Sequence, residues 1–321
     1  MFVLNPDPYL LPCYRISPFN TKDLHTNNAF PNNNSIDAYF DARFKGLNYT
    51  YTKDGRKAIH IALQQYGLKQ EDVVTVFTTC GNFYISGCVT GEIEKCCRWS
   101  RQIENNTKLI FVNHEFGYPY QNIRELKKYN LPIVEDCAHS FFSTDADQPI
   151  GNTGDFVIYS FPKMFPVQAG GLLTSKTSLA AAETVSEDLL QYVKNVLSHY
   201  IPEKDRIIQQ RVANYRYLAS RLAGNDFEER FELDEGVVPG VFMFRVKNDK
   251  IDLPLLKEHL YAHGIQCSVF YGERSFFIPV HQNLVKEDLD YFAAVIHSFT
   301  PVGTEAQSGT AASTGGKVQT G

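Results

Sequence analysis

The sequence predicts an α/β fold: a mostly parallel central sheet sandwiched by helices, with a smaller C-terminal α+β domain. Three observations carry this. Short apolar runs rich in β-branched residues, DVVTVFTT (72–79), KLIFVNHEFG (108–117) and LPIVEDCA (131–138), alternate with stretches of helical spacing, the pattern of a parallel sheet covered on both faces. The chemically distinctive side chains of the first half, Asn113, His114, Asp136, His139, Ser160 and Lys163, collect at the ends of the apolar runs, where open sheets of this kind bind ligands. From about Leu179 the chain changes to longer helical stretches.

Taken in order, residues 1–50 are rich in Asn and Pro (AFPNNNSID) and read as an irregular arm with a short amphipathic helix near Ile36 to Phe44. GRKAIHIALQQYGL places Ala58, Ile59, Ile61, Ala62 and Leu63 at helical spacing just after a glycine. The strand runs at 72–79 and 108–117 follow, then a helix over NIRELKKYN and the strand LPIVEDCA. DFVIYSF and GGLLTS are two further strands, and Lys163 lies in the connection between them. A large domain over 51–200 is therefore expected. The helix EKDRIIQQRVANYRYLASRL (203–222), the segment VPGVFMFRV, the helix LPLLKEHLYAHG, the strand QCSVFYG and the closing helix LVKEDLDYFAAVIHSF make a second unit over 201–300. Residues 301–321, built from Gly, Ser, Thr and Ala, are expected to be a disordered tail or an added scar.

Bulk properties exclude some functions. Lys+Arg 31 against Asp+Glu 36 gives a net charge of −5, the wrong sign for a generic nucleic-acid binder. No window approaches the roughly 18 apolar residues of a bilayer span, and the N-terminus lacks a basic region before a long apolar core; a soluble, cytoplasmic protein is expected. The seven cysteines are odd in number and form no C-x-x-C pair, so they read as reduced thiols and no metal site is expected.

Lys163 stands among Phe161, Pro162, Met164, Phe165 and Pro166. Lysine ordinarily occupies a solvated face, but one that links to a cofactor carbonyl must sit in a cleft and be able to lose its proton. Pyridoxal phosphate also needs an acid beside its pyridine nitrogen, and Asp136 ends the preceding strand. Its phosphate needs backbone N–H groups at a helix N-terminus, and Asp54-Gly55-Arg56-Lys57 opens a helix. Each signal alone is common in α/β proteins; their order and spacing carry the weight.

These residues resemble the DegT/StrS-type sugar aminotransferases, within the fold type I pyridoxal phosphate enzymes. The resemblance rests on GRKAIHIAL, the His-x-Phe-Gly of NHEFGYP, EDCAHS, SFPK and the glycine pair before LLTS, and extends diffusely through PVHQNL and the last helix. It implies that Lys163 carries the cofactor as a Schiff base and moves the proton. It places Asp136 on the pyridine nitrogen, His139 near the phenolic oxygen, and Ser160 with the N–H groups of Gly55 and Arg56 on the phosphate. Either Phe83 or Tyr84, in TTCGNFYIS, would stack on the ring. His114 and His281 are candidate substrate-side residues, each with an equal structural reading, and Glu135 is expected to face away from Asp136 as a structural partner.

The implied reaction passes an amino group from an amino acid, glutamate by resemblance, to a nucleotide-linked keto-sugar for polysaccharide or glycoconjugate biosynthesis, in a homodimer without nucleic acid or membrane partners. Sugar dehydration is an alternative that Lys163 counts against, since dehydratase relatives carry histidine there; a non-catalytic binding or regulatory descendant is another. Departures exist. Asp54-Gly55-Arg56 stands where the family has Ser-Gly-Thr, only Phe161 and Pro162 separate Ser160 from Lys163, and no Asn-Tyr-Arg-Met segment follows the glycine pair. The Asn-Tyr-Arg at 214–216, inside a later helix, reads as coincidence.

Overall fold

The computed structural model describes residues 13–145, 148–179 and 185–299; the expected tail at 301–321 lies outside them. Two short helices, α1 (Lys22–Asn28) and α2 (Ser35–Arg43), precede strand β1 (Asn48–Thr52), which runs across position 50. Next come α3 (Gly55–Gln64), β2 (Val73–Thr78), α4 (Gly87–Ile93), β3 (Arg98–Ser100), β4 (Thr107–Asn113) and β5 (Ile133–Asp136). A small hairpin, β6 (Thr144–Asp145) with β7 (Gln148–Pro149), leads to β8 (Phe156–Ser160) and β9 (Gly171–Ser175).

These strands form a seven-stranded sheet in the order β1-β9-β8-β5-β4-β2-β3. From β8 to β3 all neighbours are parallel, while β9 runs antiparallel to both β8 and β1. Register aligns Thr78, Asn113 and Asp136 at the C-terminal edge, so the strand ends that carry the polar residues open on one side. The β8–β9 turn needs its glycine pair for two reasons. Gly170 has φ +100, and a Cβ on Gly171 would come within 2.7 Å of Thr52 Oγ1 and 2.8 Å of the Asp54 carbonyl carbon, so the strand can pass beside the start of α3 only without a side chain.

Apolar faces cover the sheet on both sides. Ala58, Ile61 and Leu63 of α3 join Val74, Leu109 and Phe111 in one core layer. Phe40 of α2 packs with Tyr159, Phe161, Phe165 and the helix α5 (Glu187–Tyr200) in another. NIRELKKYN is not the expected α-helix: Ile123–Tyr129 form 3-10 turns between Asn122 (φ 60) and Asn130 (φ 51), both left-handed. Only Leu126 of this segment is buried, too little apolar burial to stabilise a regular helix of that length.

The second unit contains α6 (Lys204–Leu222), β10 (Phe227–Glu229), β11 (Phe242–Val246), α7 (Leu253–Ala262), β12 (Ser268–Phe270), β13 (Ser275–Ile278) and α8 (Lys286–Ser298). Its antiparallel sheet has the order β10-β11-β13-β12 and packs Phe244, Phe276 and Ile278 against Leu256, Leu260, Phe292 and Ile296. Residues near the N-terminus join it: Tyr14 pairs with Ile265, and Ile16 N–H donates to Gln266 Oε1 at 2.7 Å. Among the described residues no helix is long and apolar enough to cross a membrane.

Candidate active site

A cavity of about 520 Å³ lies at the C-terminal ends of the parallel strands. Its walls include Gly55 and Arg56 from α3, Asp136 at the end of β5, and His139, Ser160 and Lys163. Lys163 ends a single 3-10 turn, Phe161–Lys163, that follows β8 directly, with Pro162 in its first positions. The turn begins at a buried strand and its neighbours Met164 and Phe165 are fully buried, which turns the lysine inward. Burial pulls the Lys163 ammonium below its ordinary value, against the pull of Cys88 and Asp136.

Asp136 is 6% exposed. Burial pushes its carboxyl above the ordinary value despite the hydrogen bond from Ala138 N–H to Oδ1 at 2.9 Å. The acid and the amine therefore face one cavity, each driven toward its neutral form by the same desolvation. His139 is held well below its ordinary value by burial first and then by the neighbouring Lys163 and Arg211, so its ring is neutral at neutral pH. Its Nδ1 is buried without a hydrogen-bond partner.

At the other end of the cavity α3 begins at the N-cap Asp54, whose Oδ1 accepts Lys57 N–H at 2.8 Å. Helix geometry leaves the N–H groups of Gly55 and Arg56 without intrahelical acceptors. A Cβ on Gly55 would lie 3.0 Å from Ser160 Cβ and 3.3 Å from its Oγ, so the glycine keeps a gap open between the helix start and the serine hydroxyl. Asp54 also borders this cradle, with Arg56 of the same turn feeling its charge.

The other expected residues separate clearly. Tyr84 lines the cavity, packed on Phe270 with ring centroids 5.1 Å apart; Phe83 does not, being 78% exposed and turned toward Gly272. His114 is likewise not in the wall. It is 2% exposed behind the sheet edge, its Nδ1 accepting Tyr120 N–H at 3.0 Å, which leaves Nε2–H to donate to Glu135 Oε2 at 2.9 Å. Glu135 faces away from Asp136, as alternation along a strand requires. Against the penalty of burial, His114 and the N–H groups of Thr153 and Gly154 hold it below its ordinary value. His281 is also outside the wall. Burial and Arg211 push its imidazole down to about 3, and its carbonyl accepts Asn214 Nδ2–H at 3.0 Å, which ties it to α6. The Asn-Tyr-Arg read as coincidence thus supplies an internal anchor of α6.

Several wall residues were not singled out from sequence: Ile16, Cys88, Glu115, Phe116, Gln266 and Phe277. Glu115 carried a signal, a carboxylate inside an apolar run. It is 3% exposed and pushed up by burial; Oε2 accepts Cys80 N–H at 2.7 Å while Oε1 has no partner. Among the described residues one buried trio, His114, Glu135 and Cys137, has the ligand-atom spacing for a metal. The hydrogen bonds just described occupy His114 and Glu135, and burial raises the Cys137 thiol well above its ordinary value, which makes the trio a poor donor set.

The donor set fits pyridoxal phosphate. An anion cradle, a buried carboxyl in need of a cationic neighbour, and a neutral-leaning amine share one cavity. Residues 96–186 match the model of the DegT/DnrJ/EryC1/StrS aminotransferase family. That match bears out, over this stretch, the resemblance read from the motifs. It is 25% identical over 166 residues to the UDP-4-amino-4,6-dideoxy-N-acetyl-beta-L-altrosamine transaminase of Campylobacter jejuni, covering 46% of this chain and 42% of that one. To the GDP-perosamine synthase of Escherichia coli O157:H7 it is 27% identical over 158 residues, 42% of this chain and 43% of that one. The matched region thus spans less than half of these relatives' length. The fold is that of the aminotransferase TlmJ from Streptoalloteichus hindustanus (TM-score 0.69, 16% identity, 86% of this chain and 93% of that one). It is also that of the PLP-form of a sugar aminotransferase, Spr1654, from Streptococcus pneumoniae (TM-score 0.67, 16% identity, 87% and 96%).

Proposed function

We propose that this chain is a pyridoxal phosphate-dependent aminotransferase that moves an amino group from an amino acid, with glutamate as the donor, to a keto-sugar carried on a nucleotide. The product would feed polysaccharide or glycoconjugate synthesis. The observation that carries the proposal is the placement of Lys163, Asp136 and the Gly55/Ser160 cradle around one cavity of about 520 Å³. Its relatives' names add the sugar. By the same resemblance the working form is a homodimer in the cytoplasm.

The cofactor, when bound, supplies a carbonyl carbon and an electron-accepting ring. The N–H groups of Gly55 and Arg56 and the Ser160 hydroxyl bind the phosphate, where the helix dipole favours an anion. Asp136, raised by burial, is stabilised in its ionised form once a protonated ring nitrogen lies beside it. Tyr84 offers an aromatic face to the ring, and neutral His139 can hydrogen-bond the phenolic oxygen. Lys163, whose ammonium burial pulls below its ordinary value, would be the amine that holds the cofactor's carbonyl carbon and, once freed, the base whose Nζ carries a proton within the cavity. Glu115 and Gln266 remain on the wall for the sugar and the donor.

The test is an absorption spectrum of the purified protein with pyridoxal phosphate, before and after glutamate, beside Lys163→Ala. A visible band in the wild type that bleaches with glutamate, and no such band in the variant, is expected. Absence of the band in the wild type would refute the proposal and leave a binding protein as the better reading.

A further inference from the structure

Arg211 is among the largest fully buried side chains of the described residues, at 0% exposure. It lies on α6, outside the cavity wall, and none of its hydrogen-bond partners among the described residues is an acid: the bonds run from Nε to Gln282 Oε1 at 2.9 Å, from Nη1 to the Pro239 carbonyl at 3.1 Å, and from Nη2 to the Lys163 carbonyl at 2.9 Å. Gln282 in turn donates from Nε2 to the Met164 carbonyl at 2.9 Å. Two side chains of the second unit therefore grip two consecutive carbonyls of the lysine turn. Burial pushes the guanidinium down to about 9, so it is still charged at neutral pH. A buried charge paired only with dipoles is a poor stabiliser, and apolar residues of similar volume often replace such groups without loss. Its presence calls for a role beyond folding.

We propose that Arg211, with Gln282, is the positioning residue for Lys163, holding the main chain at 163–164 so that the ε-amine stays aimed into the cavity. The proposal rests on Lys163 being the reactive amine of the proposed function. The latch also ties the lysine to the unit that carries Gln266 and Phe277 of the wall, so a shift of that unit is felt at the amine. The groups facing Lys163 are Cys88 of α4, Asp136 of β5 and His139 of the following loop; those facing Arg211 are His139 and His281. With the latch removed, the lysine turn loosens and water reaches the amine, which raises its protonation midpoint.

The test compares Arg211→Met, Arg211→Lys and Gln282→Leu with wild type in two measurements. One, on the full cofactor-free chain, acylates amines with acetic anhydride across neutral to alkaline pH and quantifies Lys163 by peptide mass; the other follows the rate of band formation with pyridoxal phosphate. In folded Arg211→Met the labelling midpoint of Lys163 should rise by about one pH unit while surface lysines stay put, and the band should form about tenfold more slowly or worse. Gln282→Leu should move both in the same direction by less. Wild-type midpoints and rates in folded variants would overturn the proposal. If Arg211→Met fails to fold, Arg211→Lys decides by the same readout, since it keeps the charge but cannot span the three acceptors. A moved midpoint with no band even in wild type would leave the latch standing and remove the cofactor reading.

Discussion

Gly55→Ala separates cofactor binding from folding. The glycine is the first residue of α3, with no left-handed φ to defend, so alanine gains helix propensity there and its cost to the fold is the close approach to Ser160, about 1–3 kcal/mol of overpacking. The new methyl would stand 3.0 Å from Ser160 Cβ and 3.3 Å from Ser160 Oγ, inside the gap assigned to a phosphate oxygen. Displacing that oxygen from one N–H donor forfeits a hydrogen bond to a charged group, about 1.5–3 kcal/mol, which is about a tenfold to hundredfold loss of affinity. The assay is a spectrophotometric titration with pyridoxal phosphate and, in parallel, pyridoxal, which has the same carbonyl and ring but no phosphate. The loss should be confined to the phosphorylated compound. Unchanged affinity for pyridoxal phosphate, or equal losses for both, would refute the cradle.

Glu135→Gln should destabilise the protein by about 3 kcal/mol in urea unfolding, because the amide puts a donor where His114 Nε2–H and two backbone N–H groups all need acceptors; a loss below about 1 kcal/mol would contradict the buried network. Since Glu135 is held below its ordinary value in the fold, its contribution is complete above the unfolded carboxyl value of about 4.3 and is lost as pH falls through the folded one, so wild type and variant should converge in acid. Asp136→Asn has the opposite sign: the folded carboxyl is raised, so its ionisation opposes folding progressively as pH rises through the raised value. The variant should therefore be at least as stable as wild type at neutral pH while the cofactor band weakens, and a clear loss of stability in pH-dependent unfolding would sink this account.

Residues whose role depends on their own strand were legible in the sequence. Asp136 and Glu135 are split to opposite faces by β alternation, and Lys163 and Gly55 are marked by the contrast between a residue type and its neighbours. Periodicity also placed α2, α3 and α6 nearly to the residue. What the sequence left open depends on distant contacts. His114 and His281 look alike to Asp136 in sequence terms, each a polar residue beside an apolar run, yet the first is held by Tyr120 and Glu135 and the second is buried beside Arg211 of α6. Phe83 and Tyr84 are adjacent and aromatic, and only the packing of Phe270 against the loop decides which one faces the cavity. The helix over NIRELKKYN failed because charge patterning without a buried face does not hold a helix.

Arg211 was the least legible of all. In the sequence it is one basic residue on a long helix, indistinguishable from the exposed Arg206 and Arg216 beside it. Its meaning arises only when α6 is brought against the lysine turn, and that meeting involves positions 48 residues apart for Lys163 and 71 apart for Gln282. The same burial that lowers Lys163 and raises Asp136 also surrounds Arg211, so the three groups stand in one poorly solvated region with a net cationic bias. An anionic ligand entering that region relieves the bias. The anion cradle at the start of α3 and the guanidinium behind the lysine turn therefore bias the same region toward anions from two sides.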